Sequence, residues 1–209
     1  MKVAVICANG KAGRLIVDEA LAKGMDVTVF VRGENKTNAE KAVIKDAFDI
    51  TAEDLAGFDA VVDAFGAWTP ETMPGIPKMV EVLIKDLSGT KTQLLVVGGA
   101  GSLFVNREHT LALEDTPTFP DAYKPVSSAH AQALKLLRVS KDLDWTYVSP
   151  AADFQADGAK TGVYKIGGEE LLVNSKGLSE VSYADYAKAL VDVMAQGSHR
   201  RERISVCSL

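Results

Sequence analysis

Cysteine, long apolar runs and excess basic charge are scarce or missing in this 209-residue chain. The two cysteines, Cys7 and Cys207, lie at opposite ends and match no metal or redox spacing, so we expect a reducing compartment and no metal site. No apolar run approaches the roughly 20 residues of a membrane span, and no signal-peptide pattern is visible. With 23 basic and 28 acidic side chains, the formal charge of −5 argues against a nucleic-acid partner. We therefore expect a cytoplasmic protein that binds neither membranes nor nucleic acid.

The remaining composition is that of an ordinary globular chain. Hydrophobic residues make up 47% and charged residues 24%, so the chain can bury a core without help from disulfides or metals. We find no internal repeat and no low-complexity segment. The sequence therefore predicts a single domain over residues 1–209, with a small, irregular substrate-side appendage at about 151–180.

Apolar strand-like runs alternate with helical apolar spacing along the chain. Strands are expected at Val3–Cys7, Asp26–Val31, Ala42–Ile44, Ala60–Ala64, Leu94–Val97 and Trp145–Val148, with a last one at Ile204–Cys207. Helical spacing of apolar residues is found from Ala12 to Ala20, from Ile76 to Leu87, from Val126 to Ser140 and from Tyr183 to Met194. We also expect a short helical turn near Thr51–Leu55 and short strands at Thr161–Ile166 and Leu171–Val173. Strands joined through helices lie parallel. The expected fold is α/β, a doubly wound Rossmann-type parallel sheet with helices on both faces.

The segment between the first strand and the first helix has the pattern of a phosphate-binding turn. Gly10 would let the backbone approach a pyrophosphate, and Gly13 would let the helix pack close to the strand. The helix N-terminus adds free N–H groups and partial positive charge. Cys7 occupies the place of the first fingerprint glycine, as a small apolar residue or as a low-pKa thiol. The predicted cofactor contacts are Asn9, Gly10, Lys11, Ala12, Gly13 and Arg14; the alternative is an ordinary strand-to-helix turn.

The end of the second strand indicates which dinucleotide would bind. An NAD site places an acidic residue there to bond the ribose hydroxyls. This chain has Arg32 instead, with Lys36 close behind, and a guanidinium pairs well with a 2′-phosphate. We therefore expect NADP(H) to be preferred over NAD(H). The nearby acidic residue Glu34 argues against this role of Arg32. The alternative is that Arg32 is a solvated loop cation.

Together these segments resemble an atypical short-chain dehydrogenase/reductase of the NAD(P)-binding group of NADH-flavin reductases. The resemblance spans nearly the whole chain and also rests on Val96–Leu103, Tyr123–Pro125 and Asp144–Pro150. Broader relatives are the biliverdin-IXβ/flavin reductases and the NmrA-like proteins. The resemblance implies cofactor contacts by Asp46 and Ala47 at the adenine, by Ala64, Phe65 and Gly66 at the ribose, and by Gly98, Gly99 and Ala100 at the nicotinamide. Each of these groups has packing as its alternative role.

The catalytic pair typical of that superfamily, a tyrosine followed four residues later by lysine, is absent. No tyrosine of this chain has a lysine at that spacing, and laying the helix on the family pattern puts Lys124 in the tyrosine position and Ser128 in the lysine position. The histidine that biliverdin-IXβ reductases carry after the sixth strand is also missing. The remaining catalytic candidates are Ser102, Tyr123, Lys124 and Asp153.

These observations favour an NADPH-dependent reductase of a flavin or another flat conjugated acceptor. Such an acceptor takes a hydride and can draw its proton from solvent, so flavin would be a substrate rather than a bound cofactor. Trp68, Phe104, Tyr123 and Phe154 are candidates for the walls of its cleft. Two alternatives stay open: a non-catalytic NmrA-like sensor of NAD(P), and a small-ketone or nucleotide-sugar enzyme that uses Lys124. A homodimer is also left open.

Overall fold

A computed structural model describes residues 1–209, with ten strands and four helices. The strands are β1 (Lys2–Ile6), β2 (Asp26–Val31), β3 (Lys41–Ile44), β4 (Ala60–Asp63), β5 (Gln93–Val97), β6 (Asp144–Ser149), β7 (Asp153–Gln155), β8 (Tyr164–Gly167), β9 (Glu180–Ser182) and β10 (Glu202–Ser208). The helices are α1 (Lys11–Ala22), α2 (Gly75–Leu87), α3 (Lys124–Val139) and α4 (Tyr183–Gln196). None of the helices is long and apolar enough to cross a membrane.

Eight of the strands form one sheet in the order β3-β2-β1-β4-β5-β6-β10-β8. All neighbours in it run parallel except β8, which pairs with β10 in the antiparallel direction. One buried core joins the sheet to α1 and α4, and a second core joins its other face to α2 and α3. The predicted doubly wound α/β fold is confirmed. The strand order reverses between β1 and β4, which is where such sheets bind their ligands.

Burial on both faces explains why the central strands are almost entirely apolar. Val3, Ala4, Val5 and Ile6 of β1 have no exposed surface, as is typical of a parallel strand covered by helices on both sides. The edge strand β3 is mostly exposed, and it is short. Helix α4 begins at a capped turn, in which the Ser182 hydroxyl accepts a 3.0 Å hydrogen bond from the backbone N–H of Asp185.

The structure differs from the sequence predictions in the short elements. The helical turn expected near Thr51–Leu55 is a hydrogen-bonded turn closed by Asp54, and the 3₁₀ helix lies earlier, at Ala47–Asp49. Leu171–Val173 forms no strand, because Leu171 bonds instead to the backbone of Phe104. Two strands were not predicted: β7 and β9, which pair with each other in a separate two-stranded sheet. The first strand ends one residue earlier than expected, at Ile6.

Candidate cofactor-binding site

The turn after β1 is built on a left-handed residue that is not glycine. Cys7 has φ of 57°, and its carbonyl accepts a 3.0 Å hydrogen bond from Gly10 N–H. This conformation explains why glycine is usual at the first position of such turns. Burial, assisted by the nearby charge of Asp63, raises the pKa of the Cys7 thiol to about 12. The thiol is therefore protonated at neutral pH, and its role is that of a small packed side chain.

The two glycines of the turn have different surroundings. A Cβ on Gly13 would lie 2.8 Å from the carbonyl oxygen of Ala8 and 2.9 Å from that of Cys7, so α1 packs against the strand end too closely for any side chain. A Cβ on Gly10 would meet only the Cys7 oxygen, at 3.4 Å. Gly13 is thus required for packing, whereas Gly10 leaves open backbone at the start of α1.

A group of exposed positive charges lies beside the N-terminus of α1. No side chain caps the helix at Gly10, and its first turn carries no acidic residue. Four exposed cations lie on this turn and on the loop after β2: Lys11, Arg14, Arg32 and Lys36. None of them takes part in an ion pair, although many other cations of the chain do. A helix N-terminus with unpaired cations around it is suited to bind phosphate groups.

The remaining residues predicted near the adenine also lie close to the turn. The side chain of Asp46 accepts a 3.0 Å hydrogen bond from Phe48 N–H and caps the 3₁₀ helix that begins at Ala47. The charge of Arg32 lowers the pKa of the Cys7 thiol and that of Asp46 raises it, so both side chains lie near the end of β1. Ala12 lies half-buried in the first turn of α1.

The end of β4 carries a buried carboxylate that sequence reasoning missed. Asp63 is 3% exposed, has no cationic partner, and accepts a 3.0 Å hydrogen bond from Phe65 N–H. Burial raises the pKa of Asp63 to about 7. Ala64 bonds through its N–H to Ile6 O at 3.2 Å, while Gly66 faces open space. Asp63 differs from the surface acidic residues in being buried. The apolar run that precedes it, Ala60–Val62, was the only feature of the sequence that could have indicated this burial.

The glycines after β5 pack on the buried Tyr147 and the partly buried His130. A Cβ on Gly98 would collide with the Tyr147 ring, and one on Gly99 would lie 3.0 Å from the Cβ of His130. The Tyr147 hydroxyl accepts a 3.0 Å hydrogen bond from Gly99 N–H and lies 3.2 Å from His130 Nδ1. Burial lowers the pKa of His130 to about 4. The imidazole is therefore neutral, and Ala100 follows the two glycines at a half-buried position.

The four catalytic candidates do not come together in one cluster. Each of them either binds a different neighbouring side chain or is exposed to solvent. Ser102 accepts a 2.9 Å hydrogen bond from Arg203, a buried guanidinium that also pairs with Glu169. Lys124 pairs with Asp121 at 2.7 Å, which raises the pKa of its ammonium group, and neighbouring Tyr123 is 53% exposed. Asp153 lies on β7, in the separate two-stranded sheet, where its carboxylate accepts a hydrogen bond from Gln155.

The aromatic candidates for the cleft walls divide into two pairs. Trp68 and Tyr123 are exposed on loops that follow β4 and β5. Phe104 instead stacks on His109, with ring centroids 4.7 Å apart, and Phe154 packs against Tyr183. The first pair is exposed, whereas Phe104 and Phe154 are partly buried against their neighbours. No three or more histidine, cysteine or carboxylate side chains come together in a way that could hold a metal ion.

A Rossmann-type sheet with a glycine-containing strand-to-helix turn at its topological switch point is the architecture typical of dinucleotide-binding proteins. A family model described as NAD(P)H-binding matches residues 7–197, and the chain belongs to that family. It is 46% identical to the uncharacterised protein YwnB of Bacillus subtilis (strain 168) over 215 residues, which covers 100% of this chain and 99% of that protein.

Solved structures show the same fold. SP1627 from Streptococcus pneumoniae TIGR4, which bears the name "putative NADH-flavin reductase", is 52% identical with a TM-score of 0.98, and the match covers 100% of both chains. A protein from Bacteroides thetaiotaomicron, named "putative epimerase", is 33% identical with a TM-score of 0.86, over 100% of this chain and 97% of that one. The expected resemblance to the NADH-flavin reductase group of NAD(P)-binding proteins is confirmed, and the epimerase-like relative was not expected from the sequence.

Proposed function

We propose that this protein is an NADPH-dependent reductase that transfers a hydride to a flavin or another flat conjugated acceptor. The observation that carries the proposal is the set of unpaired cations around the phosphate turn, above all Arg32 at the end of β2. An acidic side chain at that place would bond the ribose hydroxyls of NAD, whereas a free guanidinium pairs with a 2′-phosphate. NAD(P)H binding itself follows from family membership.

The acceptor is expected at the carboxyl edge of the sheet. Ligands of open parallel sheets bind at this edge, near the switch point between β1 and β4. Two exposed aromatic side chains, Trp68 and Tyr123, follow β4 and β5 on this edge and offer flat apolar surface to a conjugated ring system. The name of the Streptococcus pneumoniae relative supports a flavin as the acceptor.

The chain's own residues supply binding and orientation rather than a tuned acid. The bound dinucleotide would supply the hydride. The N-terminus of α1 and its cations would hold the phosphates, and the closely packed Gly13 fixes that helix end against β1. The neutral imidazole of His130 is no proton donor at neutral pH, and the four acid candidates do not converge. Solvent is therefore the expected proton source, which a flavin acceptor tolerates.

Turnover with flavin separates this proposal from a non-catalytic sensor. We would follow NADPH oxidation with FMN or FAD for the parent and for Arg32→Glu. The expected result is steady oxidation by the parent, with a strong loss of apparent NADPH affinity in the variant. Tight NADPH binding without oxidation in the presence of flavins or quinones would contradict the reductase and favour the sensor.

A further inference from the structure

The loop after β2 is held by its own hydrogen bonds. Asn35 Oδ1 accepts from the backbone N–H of Thr37 at 2.9 Å, and Asn35 Nδ2 donates to Ala39 O at 2.8 Å. Farther along, Asn38 Nδ2 donates to Asp18 on α1 at 2.7 Å. The two bonds of Asn35 shape the turn within the loop, whereas the bond of Asn38 is an exposed contact at its far end. The turn from Asn35 to Ala39 is therefore preformed by local hydrogen bonds.

Asn9 joins this loop to the phosphate turn. Its Nδ2 donates to Glu34 O at 2.8 Å, and its Oδ1 accepts from Lys36 N–H at 2.8 Å. Both polar atoms of the amide are therefore engaged with backbone groups on either side of Asn35. The residue immediately before Gly10 thus determines where the segment that carries Lys36 lies.

The same loop begins with the cation proposed to select the cofactor. Asn9 holds the segment from Glu34 to Lys36, and Arg32 lies two residues before it. The side chains of Arg32 and Lys36 form no hydrogen bond or ion pair with the rest of the chain. Backbone bonds are thus used to fix the loop while its cations are left free, which is the arrangement expected of a preorganised anion site. Preorganisation raises affinity because less conformational freedom is lost on binding.

We propose that Asn9 is a cofactor-specificity residue, which positions the loop of Arg32 and Lys36 for the 2′-phosphate of NADPH without touching that phosphate itself. This inference rests on the proposed preference for NADPH. It changes the role expected of Asn9 from a direct donor to the pyrophosphate into a positioning residue. A direct donor would serve NADPH and NADH equally, whereas a positioning residue for the 2′-phosphate affects the ratio of their affinities.

A double-mutant cycle tests the proposal. We would measure the dissociation constants of NADPH and NADH for the parent, Asn9→Ala, Arg32→Ala and the double variant. Asn9→Ala is expected to lower the preference for NADPH about tenfold, and to lower it by a clearly smaller factor when Arg32 is already alanine, because Asn9 then positions only Lys36 for the 2′-phosphate. Binding of 2′,5′-ADP, which lacks the nicotinamide, should weaken in parallel with that of NADPH.

Two further variants guard the interpretation. Asn38→Ala removes a bond of the same loop away from Asn9 and should leave the preference within about twofold of the parent. Asn9→Ser carries a side chain too short to reach both backbone groups, and should reproduce the loss if Asn9→Ala folds poorly. Equal weakening of both nucleotides, or an undiminished effect in the Arg32→Ala background, overturns the inference. A parent that binds NADPH and NADH equally overturns the cofactor proposal first, and the inference with it.

Discussion

Replacement of Gly13 by alanine tests the packing of the phosphate turn with a single added methyl group. The new Cβ would lie 2.8 to 2.9 Å from three backbone atoms of Cys7 and Ala8, whereas ordinary contacts begin at 3.4 Å. The start of α1 must therefore move by about half an ångström. Overpacking of this kind costs about 1–3 kcal/mol, and the better helix propensity of alanine returns about 1 kcal/mol. We expect a net loss of up to about 2 kcal/mol, which lowers Tm by up to about 8 °C in a domain of this size.

Nucleotide binding is the sharper readout of Gly13→Ala. Displacement of the helix N-terminus misaligns the N–H groups that would face the pyrophosphate, and loss of part of such a charged hydrogen-bond set weakens binding at least tenfold. Calorimetric titration with NADPH and thermal unfolding would give both quantities. Gly10→Ala is the matched control for stability, because its Cβ would be 3.4 Å from one oxygen and its backbone is extended. We expect Gly10→Ala to keep the parent Tm. Parent-like NADPH affinity in Gly13→Ala would refute the placement of the pyrophosphate.

Three further predictions follow from the buried and candidate side chains. Because burial raises the pKa of Asp63 to about 7, the free energy of unfolding should fall as the pH rises from about 4 to 7. Asp63→Asn should remove this pH dependence and stabilise the protein at pH 8 by at most about 4 kcal/mol, as measured by unfolding across that pH range. Asp185→Ala should lower stability by about 2–4 kcal/mol and expose the chain near Thr161 to limited proteolysis, because Asp185 accepts hydrogen bonds from Thr161 and from Gly162 N–H at 2.7 to 3.1 Å; resistance equal to the parent would contradict this. The acid candidates are tested by the variants Ser102→Ala, Tyr123→Phe, Lys124→Met and Asp153→Asn. The single-turnover rate of FMN reduction should fall by less than about tenfold in each of them, and a hundredfold fall at unchanged NADPH affinity would identify a true proton donor.

The parts of the fold with strong local signals could be predicted from the sequence. Strand β2 was located to the residue, because Asp26–Val31 is β-branched and apolar and is followed by a loop. Helix α4 was predicted by the helical spacing of its apolar residues from Tyr183 to Met194. Strands β7 and β9 were missed because each has only three residues, too few to show a period. Their pairing depends on chain segments that are far apart in sequence.

The site was predictable where backbone geometry leaves a sequence signature. Gly13 is such a position, since only glycine fits against the end of β1. Cys7 was assigned to the place of the first fingerprint glycine, but its left-handed conformation was not predicted, because a residue other than glycine carries no signal of a positive φ. The bonds of Asn9 to residues 25 and 27 positions away, and the burial of Asp63, arise from tertiary structure alone. Sequence patterns report local conformation, and these interactions form only when the loops come together.

The ratio of NADPH to NADH turnover with one flavin acceptor tests the central claim most directly. We would measure kcat/KM for both nucleotides with FMN, for the parent and for Arg32→Glu. A charged contact to the 2′-phosphate is worth about 1.5–3 kcal/mol, so we expect at least a tenfold preference of the parent for NADPH and its loss in the variant. Equal values for the two nucleotides, or binding without any reduction of flavin, would contradict the account.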